Sequence, residues 1–83
     1  MVDLGYTDSY DDEDIKPEAD LEEADLKQAD LEEADLKQAD LKKADLSDAN
    51  LEDADLFGAE LEKADLSEAT LKNTSLFDAD LSS

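Results

Sequence analysis

Leucine recurs at every fifth position along most of this chain. From residue 19 to residue 83 the sequence divides into thirteen consecutive five-residue units without a gap, and each has Leu at its third place. The first place is Ala in every unit except the one that begins with Thr74. The leucines are Leu21, Leu26, Leu31, Leu36, Leu41, Leu46, Leu51, Leu56, Leu61, Leu66, Leu71, Leu76 and Leu81.

A period of five excludes the two simple secondary structures. On an α-helix each residue advances about 100°, so successive leucines lie roughly 140° apart and form no apolar stripe. On a single strand an odd spacing places alternate leucines on opposite faces. The pattern instead predicts a chain that turns once per unit, so that every Ala and Leu points toward a common axis, as in a solenoid.

The units resemble the pentapeptide-repeat proteins, whose repeat is written A(D/N)LXX. Residues 24–28 read Ala-Asp-Leu-Lys-Gln and residues 49–53 read Ala-Asn-Leu-Glu-Asp, and the resemblance covers 65 of the 83 residues. It implies an all-β fold, a right-handed quadrilateral β-helix of about three coils with four units per coil and Ala and Leu inside. The departures are Glu60, Thr70 and Ser75 at the second place and Thr74 at the first.

Residues 1–18 break the repeat, so we expect two parts: an acidic N-terminal leader and a repeat domain over residues 19–83. The first interpretation of the leader is a disordered, solvated segment. In the second, Ile15 with Leu4 or Tyr10 covers the exposed edge of the first coil, and Pro17 fixes the junction.

A third interpretation makes the leader a short docking motif. Tyr6 and Tyr10 flank a polar stretch that runs into the acids of residues 11–14. Two aromatic side chains beside a dense negative run fit a basic groove on a partner protein. Tyr6 and Tyr10 are therefore candidate interaction residues.

Four units per coil would stack residue n on residue n+20, which assigns the outer surface. Both phenylalanines, Phe57 and Phe77, then fall in one outward column, and Gly58 is predicted to leave a shallow spot beside them. At a coil spacing of about 4.8 Å the two rings can stack. The column is either a ladder that only stabilises the solenoid or an exposed apolar patch for self-association or partner binding.

The same register brings acid onto acid. Glu32 and Glu33 stack on Glu52 and Asp53, and Lys72 follows only in the next coil. Stacked like charges reduce stability, so this face is a better candidate for a selected function than a face with alternating signs. The candidate interaction surface thus comprises these four acids, the two phenylalanines and the two tyrosines.

Alternating charges on another face predict stabilising ladders between coils. Glu22, Lys42 and Glu62 form one predicted column, and Glu23 and Lys43 form another. Pairs of this kind at an exposed site contribute little, so the simplest interpretation is a solvated charged face.

The acids at the second place also stack, with Asp25, Asp45 and Asp65 as one column. Aspartate and asparagine favour turns because their side chains bond to nearby backbone groups, so a structural role is the main interpretation. Stacked carboxylates suit Ca²⁺ as well, but the glycine-bearing calcium loop is missing. We expect no metal and no cofactor.

The amino-acid composition restricts the kinds of molecule that this protein can bind. The net charge is −20, with −6 in residues 1–18 and −14 in the repeats. Nucleic acid and anionic membranes would be repelled, so we expect neither as a partner, and a protein with a basic surface is the natural one. Cysteine and histidine are absent, and no apolar run or signal sequence suggests membrane insertion or secretion, which predicts a cytoplasmic protein.

The sequence predicts no enzyme, since it offers no nucleophile with a base and a filled solenoid has no pocket. The leading hypothesis is an acidic solenoid that acts as a structural or protein-interaction module. An open last coil makes a homodimer through the C-terminal coil a further expectation. The alternative, which the family resemblance implies, is a DNA mimic that binds a DNA-processing protein such as a type II topoisomerase, as a dimer.

Overall fold

The computed structural model describes residues 12–82. One 3₁₀ helix, Asp12–Asp14, precedes the repeats, and within residues 12–82 there is no α-helix and no extended strand. No helix in this described part is long and apolar enough to cross a membrane. Turns and single-residue bridges build everything that follows the 3₁₀ helix.

The coils stack with a register of twenty residues. Isolated parallel bridges join second-place residues that are twenty positions apart, and they fall into four columns. The columns run through Asp20, Asp40, Glu60 and Asp80; through Asp25, Asp45 and Asp65; through Asp30, Asn50 and Thr70; and through Asp35, Asp55 and Ser75. The predicted stacking of residue n on residue n+20 is confirmed, but pairing is limited to one bridging residue per unit instead of a continuous strand.

Each unit turns by a tight hydrogen-bonded bend. The third-place carbonyl accepts a hydrogen bond from the first-place N–H of the next unit at 2.9–3.1 Å. Every described fifth-place residue has a positive φ between 58° and 67°, and only Gly58 among them is glycine. A positive φ at the third residue of a four-residue turn is typical of type II. The same bend already spans Lys16 to Ala19, where Pro17 takes the second position that this turn favours.

Hydrogen bonds along the solenoid axis hold one coil to the next at 2.7–3.0 Å. In each unit from residue 19 to residue 63, the third-place and fifth-place N–H groups donate to the following coil, and the first-place C=O accepts from it. Leu21 N–H donates to Asp40 C=O, Glu23 N–H to Lys42 C=O, and Asp40 N–H to Ala19 C=O. Each unit therefore offers the next coil two donors and one acceptor.

The core is a column of inward alanines and leucines. Every first-place and third-place residue from Ala19 to Leu61 is buried, and the leucines among them are at most 2% exposed. Ile15 is half-buried against this core, as the second interpretation of the leader expects for that residue. The same places in the coil of residues 64–82 are partly exposed, with Leu71 at 37% and Leu81 at 53%.

The exception at the first place is accommodated by a hydrogen bond. Thr74 points its hydroxyl inward and donates to the backbone C=O of Leu51 at 2.6 Å. Buried polar groups are destabilising unless they are paired, so this bond explains why threonine fits where the other units have alanine. Within the described residues no buried side-chain polar atom lacks a partner.

Candidate interaction surface

The phenylalanine column forms as predicted. The ring centroids of Phe57 and Phe77 are 5.6 Å apart with an interplanar angle of 26°, a stacked arrangement. Phe57 is 36% exposed and Phe77 is 69% exposed, so stacking leaves much of the outer ring in solvent. The column is therefore both an internal contact between coils and an exposed apolar surface.

The predicted shallow spot at Gly58 is wrong. A Cβ atom placed there would lie 3.1 Å from Cγ of Gln38, whose side chain reaches up from the preceding coil. The long, flexible glutamine therefore fills the space that the missing side chain leaves. Sequence register places Gln38 under Gly58, but it does not show whether that side chain points along the axis or into solvent.

Three of the four acids in the predicted acid-on-acid contact come together, and Glu33 is not in the group. Carboxylate oxygens of Glu32, Glu52 and Asp53 lie within 4.8 Å of one another. Partial desolvation, followed by the charges of Glu52 and Asp30, raises the pKa of Glu32 above its ordinary value of 4.5. The charges of Glu33 and Asp53 act in the same direction. The ionised form of Glu32 is therefore disfavoured in the folded chain.

One lysine reaches the acidic cluster. Lys72 Nζ is 4.0 Å from a carboxylate oxygen of Glu52, and its side chain is largely exposed. A pair this long and this exposed is weak and is screened by salt. Glu32 and Asp53 have no ion pair among residues 12–82.

The acidic cluster and the phenylalanine column adjoin each other. The acids belong to the units at 29–33 and 49–53, and the phenylalanines belong to the units that follow, at 54–58 and 74–78. Consecutive units form neighbouring sides of a four-unit coil, so one surface combines an exposed aromatic pair with uncompensated negative charge. Protein interfaces commonly place aromatic anchors beside charged groups.

Second-place Asp and Asn side chains stabilise the bends. Their Oδ1 atom accepts a hydrogen bond from the backbone N–H two residues later at 2.9–3.3 Å. The acceptors are Asp20, Asp25, Asp30, Asp35, Asp40, Asp45, Asn50, Asp55, Asp65 and Asp80. Glu60, Thr70 and Ser75 form no such bond within the described chain. The structural interpretation of these columns is confirmed.

Some of these turn carboxylates have lowered pKa values. A side-chain hydrogen bond from Lys37, and then one from its backbone N–H, lower the pKa of Asp35. Hydrogen bonds from the Ser67 hydroxyl and then its N–H lower the pKa of Asp65, and the N–H and hydroxyl of Ser82 lower that of Asp80. The donated hydrogen bonds stabilise the charged carboxylate more than the neutral acid, so these groups favour the ionised form.

Lysines at the fourth place do not form the predicted ladders. Lys42 Nζ lies 3.3 Å from Asp40 and 3.4 Å from Glu60, and no ion pair within residues 12–82 joins it to Glu22 or Glu62. The predicted contact between Glu23 and Lys43 is also absent from the described residues. The Lys42 side chain instead reaches the second-place carboxylates of its own unit and of the next coil.

Lys37 repeats this arrangement, whereas the ion pair of Lys27 reaches the second-place carboxylate of the next coil. Lys37 pairs with Asp35 at 3.0 Å and with Asp55 at 3.7 Å, and Lys27 lies 3.9 Å from Asp45. Each lysine therefore neutralises part of a second-place column. The acids of residues 29–33 have no lysine in their own unit or in the unit stacked on it, which explains why their charge remains uncompensated.

A second group of carboxylates lies within the same distance limit, formed by Asp20, Glu22 and Asp40. Lys42 already pairs with Asp40. Both groups consist of side chains at least partly open to solvent, and exposed acids at this spacing are common without an ion. We assign no metal to either group.

Tyr6 and Tyr10, the remaining predicted interaction residues, lie outside the described residues, as does Leu4. The features that sequence reasoning missed are the inward hydroxyl of Thr74 and the axial orientation of Gln38. Only the threonine gave a signal, because it interrupts an otherwise constant alanine.

Comparison with known families agrees with the repeat geometry. A family model described as pentapeptide repeats matches in eight copies over residues 19–56 and 54–83. The chain therefore belongs to the pentapeptide-repeat family, which in general comprises structural and interaction proteins and not enzymes. A search among curated proteins found no match.

Proposed function

We propose that this protein is a non-enzymatic interaction module, built as a right-handed quadrilateral β-helix, that binds a protein with a basic surface. The four bridge columns and the bend at every fifth residue support the quadrilateral form. The binding surface is the pair of adjoining sides that carry the acidic cluster and the phenylalanine column.

The observation that carries this proposal is the cluster of Glu32, Glu52 and Asp53, in which Glu52 alone has a lysine partner among residues 12–82. Fold stability alone would favour a lysine at one of these places, as occurs beside Asp35 and Asp40. The raised pKa of Glu32 marks unfavourable charge that a cationic partner would relieve. Phe57 and Phe77 next to it supply apolar area, so a partner gains from both burial and charge.

The test compares two variants with the same change in charge. In the first, Glu32→Gln, Glu52→Gln and Asp53→Asn neutralise the cluster. In the matched control, Glu22→Gln, Asp48→Asn and Glu68→Gln remove three charges from other sides. Affinity capture from source lysate identifies the partner, and titration calorimetry then measures its binding to each variant.

We expect the cluster variant to bind at least about tenfold more weakly than the control. Phe57→Ser with Phe77→Ser should weaken binding without changing the net charge. Equal binding by the cluster variant and its control would overturn the assignment of the surface, because only total charge would then matter.

The alternative function is a DNA mimic that binds a DNA-processing protein such as a type II topoisomerase. The observation in its favour is the net charge of −14 on the repeats, carried in part by second-place carboxylates that recur with every coil. Against it, Asn50, Thr70 and Ser75 interrupt two of the four columns. A DNA supercoiling assay with a type II topoisomerase tests this alternative. If a high excess of this protein does not inhibit the enzyme, the DNA-mimic function is excluded.

A further inference from the structure

The acidic cluster of Glu32, Glu52 and Asp53 already receives one cation from its own chain. Lys72 Nζ lies 4.0 Å from a carboxylate oxygen of Glu52, and the Lys72 side chain is 72% exposed. Glu32 and Asp53 have no ion pair within residues 12–82. Lys72 therefore compensates one carboxylate of the cluster and leaves the other two open to a further cation.

The ion pair of Lys72 differs from those of the other lysines. Within residues 12–82, Lys27, Lys37 and Lys42 all pair with second-place carboxylates of their own coil or of the next one. Lys72 alone among these lysines pairs with a fourth-place acid, Glu52, and this acid belongs to the preceding coil. The direction of the Lys72 side chain is thus reversed along the solenoid axis.

Neutral residues at the second place explain this reversal. The unit that contains Lys72 has Thr70 at its second place, and Asn50 lies under Thr70 in the preceding coil. Neither side chain carries a charge, so the carboxylate that Lys72 reaches is that of Glu52. The absence of aspartate at these two positions directs a lysine to the acidic cluster.

The contact between Lys72 and Glu52 is weak enough to open. An exposed ion pair favours the paired over the unpaired form by a factor of only about 1.5–5, and salt reduces this factor further. A competing cation binds the cluster when Lys72 is away from it. The apparent affinity of that competitor is therefore reduced in proportion to the fraction of molecules in which the contact is open.

We propose that Lys72 is an internal competitor of the basic partner and limits the partner's affinity for the acidic cluster. A cationic group of the partner displaces the Lys72 ammonium from Glu52. Because the carboxylate oxygens of the cluster lie within 4.8 Å of one another, one ammonium placed between them can donate to all three. The inference rests on the proposed interaction function and adds its regulation, since any change that neutralises Lys72 or draws it elsewhere strengthens binding.

The test uses the 83-residue chain and an octalysine peptide as the cationic probe. NMR titration of the side-chain carboxyl carbons of Glu32, Glu52 and Asp53 measures binding at the cluster separately from binding to other acids. Lys72→Gln removes the competing cation. Lys43→Gln is the matched control, because Lys43 has no ion pair within residues 12–82 and its unit lies two units from residues 49–53, on the opposite side of the coil.

We expect Lys72→Gln to lower the Kd of the probe at the cluster by about two- to fivefold. Lys43→Gln should lower it by less than about 1.5-fold, because salt screens a charge on the opposite side. Lys72→Arg keeps the cation, so it should not lower the Kd. If Lys72→Gln lowers the Kd no more than Lys43→Gln does, only the net charge matters and Lys72 is not a competitor.

A second test supplies the missing second-place acid. Thr70→Asp places a carboxylate in the unit of Lys72, where it should draw this lysine away from Glu52 as Asp35 draws Lys37. We expect tighter probe binding at the cluster when Lys72 is present and a smaller gain in the Lys72→Gln background, where only the charge of the new acid acts. An equal gain in both backgrounds would overturn the explanation by neutral second-place residues.

The outcomes distinguish this inference from the proposed function. If the probe shifts the carboxyl carbons of the cluster but Lys72→Gln and Lys43→Gln have equal Kd values, the competitor role fails and the interaction function stands. If the probe shifts other acids and leaves the cluster unchanged in every variant, the assignment of the binding surface fails together with the competitor role.

Discussion

The two ends of the solenoid differ although they are built from the same unit. Leu21, Leu26, Leu31 and Leu36 of the first coil are at most 1% exposed, whereas Leu71 and Leu81 of the last described coil are 37% and 53% exposed. The difference is one of neighbours, since each coil buries its leucines against the coil that follows, and Ile15 packs at the opposite end. Burial here is a property of the stack and not of the repeat sequence.

The largest expected effect comes from comparing the same leucine-to-alanine substitution at a buried and at an exposed position on one side of the solenoid. Leu41 and Leu81 occupy the same place two coils apart, buried and exposed respectively. We expect Leu41→Ala to lower the free energy of unfolding by about 2–5 kcal/mol and Leu81→Ala by less than about 1 kcal/mol. Urea denaturation followed by circular dichroism measures both, and equal losses would show that the last coil is as well packed as the centre.

The covered end can be opened by changing Ile15. Because this side chain is half-buried on the core, we expect Ile15→Ser to lower the free energy of unfolding by about 1–2 kcal/mol. Ile15→Val should cost only about 0.5 kcal/mol, since it removes one methylene. If the serine variant unfolds at the same urea concentration as wild type, Ile15 does not stabilise the first coil.

A smaller effect comes from the bend hydrogen bond in one column. Asn50 accepts the N–H of Glu52 at 3.0 Å, whereas Thr70, one coil later, makes no such bond within the described residues. We expect Asn50→Ala to destabilise by about 0.5–1.5 kcal/mol. Thr70→Asn should stabilise by a similar or smaller amount, because it introduces the missing acceptor in a more exposed coil. A Thr70→Asn variant that is less stable than wild type would contradict this reasoning.

The smallest expected effect is the pH dependence of the acidic cluster. A raised pKa in the folded state means that folding takes up a proton between pH 4.5 and the folded pKa of Glu32, so stability falls as pH rises through that window. Glu32→Gln should therefore be more stable than wild type at pH 7, and the gap should close as the pH falls toward 4.5. Asp35, Asp65 and Asp80 act oppositely, because their stabilisation is present above pH 3.8 and is lost as the pH falls through their lowered pKa values.

The control for this pH series is Glu22→Gln, which removes the same charge outside the cluster. Thermal unfolding of the three proteins between pH 3 and pH 7 separates the local effect from the general repulsion of an acidic chain. If the two glutamine variants track each other at every pH, the Glu32 carboxyl has no special environment.

The sequence predicts those contacts that follow from the five-residue period and the four units per coil. Once four units make a coil, simple addition places Phe57 under Phe77 and Glu32 under Glu52, and both contacts form. The register does not predict the conformation of side chains with several rotatable bonds. Lys42 bends back to Asp40, and Gln38 rises to fill the space at Gly58.

The backbone shows a different limit of sequence reasoning. Periodicity distinguishes inward from outward side chains, but it contains no information on which backbone N–H points along the axis. That direction depends on the bend at each fifth residue, where twelve described residues other than glycine adopt a positive φ. The hydrogen bonds that join one coil to the next therefore become visible only in the structure.

The register of twenty residues also restricts how such a chain changes over evolutionary time. An insertion of one residue would exchange inside and outside for everything after it. An insertion of five would preserve the core but rotate the later units by a quarter turn, separating Phe77 from Phe57 and the acids from each other. Only a duplication or deletion of twenty residues, or a multiple of twenty, keeps every surface column aligned. The whole coil is therefore the smallest insertion or deletion that preserves the arrangement of the outer side chains.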